Sequence, residues 1–260
     1  MSLREYLLAV VDCQSLEELW DGHVSKMAEY GFDRLLYGYT RYRTATSLGD
    51  PDDFVVLTNH DRSYTDFFLG GGLLLHAPMV QWALENDGAK SWRMIYEMER
   101  EKELSPQARQ VLEFNRDKGV TAGYTISFRS VSSRTKGAIA LTGAAGVEQS
   151  DIDEIWSEHG DDIYLINNIV HLKIITLPYA TSTRALTHRQ REALEWVGDG
   201  KNSSDIAMLM GLTVPTVEKH LRLARDALQV ETTAQAVLKA AFANQMFVLD
   251  ARDRPGSDLR

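Results

Sequence analysis

The sequence contains a single cysteine, Cys13, only six prolines and no excess of positive charge. One cysteine excludes an internal disulfide. With no His pair nearby, Cys13 is expected to be an ordinary helix residue rather than part of a zinc site. No uninterrupted apolar run approaches the roughly 18 to 20 residues of a membrane span. The stretch from Met1 to Val11 carries Arg4 and Glu5 through its middle, unlike a signal peptide. A cytoplasmic protein without a membrane partner is therefore expected. Gly70-Gly71-Gly72 is not followed by Lys and Ser or Thr, so it is not a phosphate-binding loop. The acidic turn around Asp50, Asp52 and Asp53 lacks the spacing of a calcium loop. No nucleophile is paired with a base and no metal-ligand cluster is evident, so neither an enzyme nor a cofactor is expected.

What is present suits two domains. The chain has 260 residues, of which 44% are hydrophobic, more length than one compact core of ordinary size takes. Net charge is −9, yet residues 184–260 carry 11 Lys and Arg against 10 Asp and Glu. All the negative excess lies upstream, so only the C-terminal part is suited to approach DNA, and its non-specific affinity should be weak and salt-dependent.

Residues 2–30 read as two helices, the second opened by Ser15 with Glu18 in a capping box. Phe32–Tyr42 and Phe54–Asn59 alternate as strands do. Short helical pieces follow between Asp61 and Asn86, then a charged, solvated segment at Glu97–Glu103 and a helix over Pro106–Lys118 ended by Gly119. Thr121–Val131 and Gly137–Gly143 read as paired strands. Ser150 with Asp153 opens a long helix bearing Ile152, Ile155, Trp156, Ile163, Ile166 and Val170 at helical spacing; His159 and His171 on it are expected to be ordinary helix residues. The expected fold is α+β: an N-terminal α/β/α sandwich with an antiparallel sheet over residues 1–175, a linker at 176–185, an all-α helix-turn-helix four-helix domain at 186–247, and a disordered tail at 248–260.

The C-terminal stretch is the most informative. Ile206, Ala207 and Met210 share one helical face, Gly211 breaks that helix, and Thr213 with Pro215 opens the next. Val217, Leu221, Ala224 and Leu228 form its inward stripe, leaving Lys219, Arg222 and Arg225 largely outside. Two helices joined by a small-residue turn, the second basic outside, outline a helix-turn-helix for a DNA major groove.

Over nearly its full length the chain resembles the LuxR family of quorum-sensing transcription factors. Leu186-Thr187 with Arg189, Gly200-Lys201, Asp205-Ile206-Ala207 and Thr216-Val217 with His220 fall at the family's spacing without gaps. Departures are Gln190, Leu223 and Thr233, where the family usually has Glu, Asn and Arg. The resemblance implies DNA contacts by Thr216, Glu218, Lys219, Arg222, Arg225 and Lys201. Arg222 is suited to a guanine and Glu218 to a cytosine amine, although Glu218 also reads as an intramolecular partner.

The family's six pocket positions, Trp, Tyr, Asp, Pro, Trp and Gly, fall on Tyr64, Phe68, Ala77, Pro78, Trp92 and Gly123. His60, Met79, Trp82 and Ala140 complete the implied ligand site, and His76 is a further polar candidate. Where relatives bind acyl-homoserine lactones, the Asp accepts from the signal's amide; Ala77 cannot. Losing a charged hydrogen bond costs roughly 1.5 to 3 kcal/mol, about 10- to 100-fold in affinity. The implied function is a homodimeric, ligand-responsive regulator of double-stranded DNA. Its signal is an acyl-homoserine lactone or, given Ala77 and Phe68, a related or non-lactone small hydrophobic molecule. Two alternatives stay open: a ligand-independent regulator whose pocket is filled by its own aromatics, and a phosphorylation-controlled response regulator, which requires parallel strands alternating with helices.

Overall fold

The computed structural model describes residues 1–179 and 185–247. They group into two compact units that divide between Ile175 and Thr176. Part of the expected linker is tied into the second unit: Asn244 donates to the Leu177 carbonyl at 3.0 Å, and the Tyr179 N–H to the Ala243 carbonyl at 2.9 Å. The rest of it, residues 180–184, and the expected tail from 248 lie outside the described residues.

The first unit opens with helices α1 (Leu3–Asp12) and α2 (Leu16–Glu29). Ser2 and Glu5 form a full capping box on α1. At α2 only half of the expected box forms: Ser15 Oγ accepts from the Glu18 N–H at 3.2 Å, while burial, and then the nearby Glu18 carboxylate, raises the pKa of the Cys13 thiol. Five strands follow, β1 (Phe32–Thr40), β2 (Val55–Thr58), β3 (Gly88–Ser91), β4 (Gly123–Phe128) and β5 (Lys136–Gly143). They pair antiparallel throughout in the order β2-β1-β5-β4-β3. That order excludes the parallel sheet of a response-regulator receiver.

Alternation gives the sheet two unlike faces. Leu35, Tyr37, Ile139, Leu141, Ile126 and Phe128 are buried on one, under α1, α2 and the long helix α7 (Gln149–Ile174). Ile152, Ile163, Ile166 and Val170 of α7 supply the opposing surface, as their spacing implies. The cap of α7 is Glu148 with Asp151, not Ser150 with Asp153. On the other face the registered rows are small: Leu36, Ala140 and Thr125 lie side by side, as do Gly38, Ala138 and Ser127. Over that face lie α3 (Arg62–Phe68), α4 (Pro78–Glu85), α5 (Arg93–Arg100) and α6 (Pro106–Asp117). Much of the expected solvated segment is therefore helix α5, anchored by buried Ile95.

The second unit comprises α8 (His188–Gly198), α9 (Ser203–Met210), α10 (Val214–Leu228) and α11 (Thr233–Phe242). Three reciprocal boxes start helices here: Thr187 with Gln190, Asn202 with Asp205, and Thr232 with Gln235. Gln190 thus supplies the bond that a Glu would make. Gly211 ends α9 at φ +65°, a left-handed cap that favours glycine. Thr213 holds the N-cap position of α10, but its hydroxyl pairs with that of Thr216 at 2.9 Å rather than with backbone. Leu194, Ile206, Val217, Leu221 and Leu228 form the core.

Two histidines are buried in the helical layer of the first unit. His23 Nε2 pairs with Asn167 Oδ1 at 3.1 Å while its Nδ1 meets the Tyr6 hydroxyl at 3.0 Å. Asn167 Nδ2 donates to the Ile163 carbonyl at 2.8 Å, so Oδ1 accepts and His23 is the neutral Nε2–H tautomer. His171 Nδ1 meets the Tyr37 hydroxyl at 2.8 Å, and its ring stacks on Phe128 at 4.1 Å. Burial lowers both from the ordinary 6.5 to about 4. The unfolded chain then binds protons that the folded chain refuses, so this stability is complete above 6.5 and is lost as pH falls toward 4. At pH ~5 the expected loss is roughly 2 kcal/mol per histidine. Urea unfolding from neutral pH to that value checks it; a slope unchanged in the His23→Gln, His171→Gln double variant would refute the assignment.

Candidate functional site

Between the small-residue face of the sheet and helices α3 to α6 lies a cavity of about 170 Å³. One water requires only about 10 to 15 Å³, so this space admits a small molecule. Leu36, Gly38, Ala138, Ala140, Thr125 and Thr142 floor it, and its walls include His60, Tyr64, Phe68, Ala77, Pro78, Met79 and Trp92. Eight of the ten residues expected from sequence therefore line one space. Trp82 does not; it packs half-buried against the cluster of wall residues. Gly123 lies behind Trp92. His76 is exposed and takes no part.

The aromatic wall is a stack. Tyr64 lies 4.4 Å from His60, 5.2 Å from Phe68 and 5.4 Å from Phe114, ring centre to ring centre. Its hydroxyl donates to Asn115 Oδ1 at 3.1 Å and burial raises its pKa. Burial, and then the nearby Arg34 guanidinium, lowers His60 to about 4, which keeps the ring neutral. Ala77 holds the N-cap of α4, so that helix begins without a side-chain cap.

Trp92 is the most tightly held wall residue. Its Nε1 donates to Thr125 Oγ1 at 2.9 Å, and its backbone N–H to the Gly123 carbonyl at 3.1 Å. A Cβ on Gly123 would come within 2.3 Å of the Leu141 carbonyl oxygen and 3.0 Å of the Trp92 ring. Only glycine permits this approach. Gln149 clamps the same glycine, accepting from its N–H at 2.9 Å and donating to its carbonyl at 3.2 Å. Gln149 also donates to Asp153 at 2.9 Å, and Asp153 accepts from Ser91 at 2.6 Å and Arg93 at 2.8 Å. These bonds lower the Asp153 pKa against its burial.

In the second unit, the outer face of α10 presents Glu218, Lys219 and Arg222, all exposed. Glu218 accepts from the Ser203 hydroxyl across the turn, and Arg222 donates to Asp226 at 2.9 Å. Arg225 is half-buried and donates to Thr233 Oγ1 at 2.9 Å, an internal tie rather than a free cation. Thr216 pairs with Thr213, and Lys201 is exposed at the turn before α9.

Residues 15–174 match the family model of the autoinducer binding domain, and residues 184–240 that of bacterial regulatory proteins of the luxR family. The chain belongs to the LuxR family. These are transcriptional regulators, not enzymes. The chain is 24% identical over 241 residues to the transcriptional activator AnoR of Acinetobacter nosocomialis, covering 91% of this chain and 95% of AnoR. It is 24% identical over 190 residues to the transcriptional activator LuxR of Aliivibrio fischeri, covering 72% and 73%. Among solved structures, CepR2 of Burkholderia cenocepacia, described as an N-acylhomoserine lactone dependent LuxR family transcription factor, superposes with a TM-score of 0.52 at 15% identity. That match covers 66% of this chain and 92% of CepR2, and it shows a shared fold.

Among the cavity residues that escaped the sequence reading of this LuxR-family chain are two polar ones on the floor, Thr125 and Thr142. Both follow from alternation, since Thr125 is two residues beyond Gly123 on β4 and Thr142 two beyond Ala140 on β5. Thr142 Oγ1 is buried with no hydrogen-bond partner among the described residues. Replacing Gly123 with Ala should displace Trp92 and destabilise the first unit by about 1 to 3 kcal/mol. Chemical denaturation with tryptophan emission checks this, and a wild-type spectrum and midpoint would disprove the close-packing claim.

Proposed function

We infer that this LuxR-family protein is a ligand-responsive regulator in which a small, largely apolar signal occupies the sensor cavity and controls DNA binding by a homodimer. The observation that carries the reading is the cavity itself, about 170 Å³ beneath helices α3 to α6. A chain whose pocket is filled by its own aromatics should leave no such space. The stacking of Tyr64 between His60 and Phe114 favours the self-filled alternative in part. It closes only one wall.

Dimerisation fits exposed apolar side chains on two helices: Leu165 and Leu172 of α7, and Leu238 and Phe242 of α11. Paired recognition helices would match an operator with two-fold symmetry. A ligand bound only by the competent state biases the population toward it. On α10, Lys219 and Arg222 are the residues best presented to DNA. Glu218 is already bonded to Ser203. We assign it to positioning α10 rather than to base reading.

A gel shift with the protein's own promoter DNA, with and without an apolar extract of the producing culture, tests the reading. Sequence-selective binding that the extract changes supports it; binding indifferent to the extract selects the self-filled alternative, and no selective binding rejects a DNA-binding regulator. Arg222→Ala should weaken specific binding by about 1 to 3 kcal/mol. An unchanged affinity would remove Arg222 from the readout.

A further inference from the structure

Resting on the reading of the cavity as a ligand site, we propose that it selects a ligand whose head group offers hydrogen-bond acceptors and no N–H: an ester, ketone or amide-free lactone on an apolar chain. Three observations converge on this chemistry. First, among the described residues no aspartate or glutamate lines the cavity. Its two charged wall residues are spent elsewhere, Lys136 on Asp87 at 3.0 Å and Arg116 on Glu99 at 2.6 Å. Second, Ala77, buried at the uncapped start of α4, lines the cavity and supplies no side-chain acceptor. An N–H brought there loses water and gains no partner.

Third, one hydroxyl on the sheet floor is set up to donate. Thr125 accepts from Trp92 Nε1 at 2.9 Å. Its own proton has no acceptor among the described residues, and accepting one bond strengthens a hydroxyl as a donor to the next. Thr142, diagonal to it across β4 and β5, has an entirely unpaired hydroxyl. That oxygen is closed off from the cavity, so the Thr125 proton is the one that a carbonyl oxygen entering the cavity would accept. Ala140 lies directly opposite Thr125 and adds no polar group.

Two compounds differing at one atom test the proposal on the full-length protein: N-octanoyl-homoserine lactone and the ester in which its amide N–H is replaced by oxygen. Calorimetric titration should show the ester binding about 10-fold or more tightly than the amide. Because esters partition better into any apolar site, Ala77→Asp supplies the control and should reverse the order. Should that variant fail to fold, Ala77→Ser, which restores a helix cap and a neutral acceptor, should narrow the gap. Amide binding equal to or tighter than ester binding in the wild type overturns the proposal and leaves the ligand site standing. Binding of neither compound, with stabilisation by an apolar cell extract, also overturns it alone. No stabilisation by either compound or by the extract overturns the ligand-site reading as well.

Discussion

The unequal filling of the two faces of the sheet is the constraint on which the sensor unit depends. One face presents Tyr37, Ile126, Phe128 and Leu141 to α7 and is closed. The other presents glycine, alanine and threonine, so the helices above it cannot settle onto the strands. The magnitude matters. A dry cavity of 170 Å³ costs on the order of 4 kcal/mol at about 24 cal/mol per Å³. Domains of this size are stable by only about 5 to 15 kcal/mol. A ligand that filled the space would recover much of that deficit, which would couple occupancy to folding of the α3–α6 layer without any separate switch.

The layer is not uniformly loose. At the Trp92 end, the ring rests on Gly123, Gly123 is clamped by Gln149, and Gln149 shares Asp153 with Ser91 and Arg93. This chain of bonds joins β3, β4 and the first turn of α7, and it is independent of any ligand. At the other end, α4 begins at Ala77 without a cap, and glycines 70–72 interrupt the chain before it. A cap is worth about 0.5 to 2 kcal/mol, so its absence leaves this end the easier one to reorganise. The cavity therefore has a fixed floor and Trp92 wall opposite a more yielding wall at α3 and α4.

How far the sequence discloses this depends on which forces decide each element. Apolar periodicity decides α7 and α10, and both are legible residue by residue. Strand β3 is not, because Gly88-Ala89-Lys90-Ser91 alternates nothing and forms only by pairing with β4. Helix α5 is hidden by its charges, since one buried residue, Ile95, anchors it. The start of α7 is misplaced by a few residues because Ser150 and Asp153 imitate a box that Glu148 and Asp151 make. At the site, the wall residues follow from a family pattern, whereas Thr125 and Thr142 required taking strand alternation through to the floor. Trp82 follows the helical spacing of α4 but packs against the wall residues without lining the space. The pairing of Arg225 with Thr233 was not visible at all, because it is a tertiary contact between α10 and α11.

That contact also bears on how the DNA-binding unit works. Its charge is nearly balanced, and three of its charged candidate contacts have internal partners: Arg222 with Asp226, Arg225 with Thr233, and Glu218 with Ser203. The exposed Arg222 pair is worth at most about 1 kcal/mol and yields readily to a guanine or phosphate. The half-buried Arg225 bond is harder to give up, because it helps fix α11 against α10. With few cations free for phosphates, a single unit gains little from counterion release. Linking two units raises the second binding step to an intramolecular one, which multiplies affinity without adding contacts. In the regulator proposed above, a weakly charged recognition unit makes pairing the controlling variable, and the sensor would act on the operator through it.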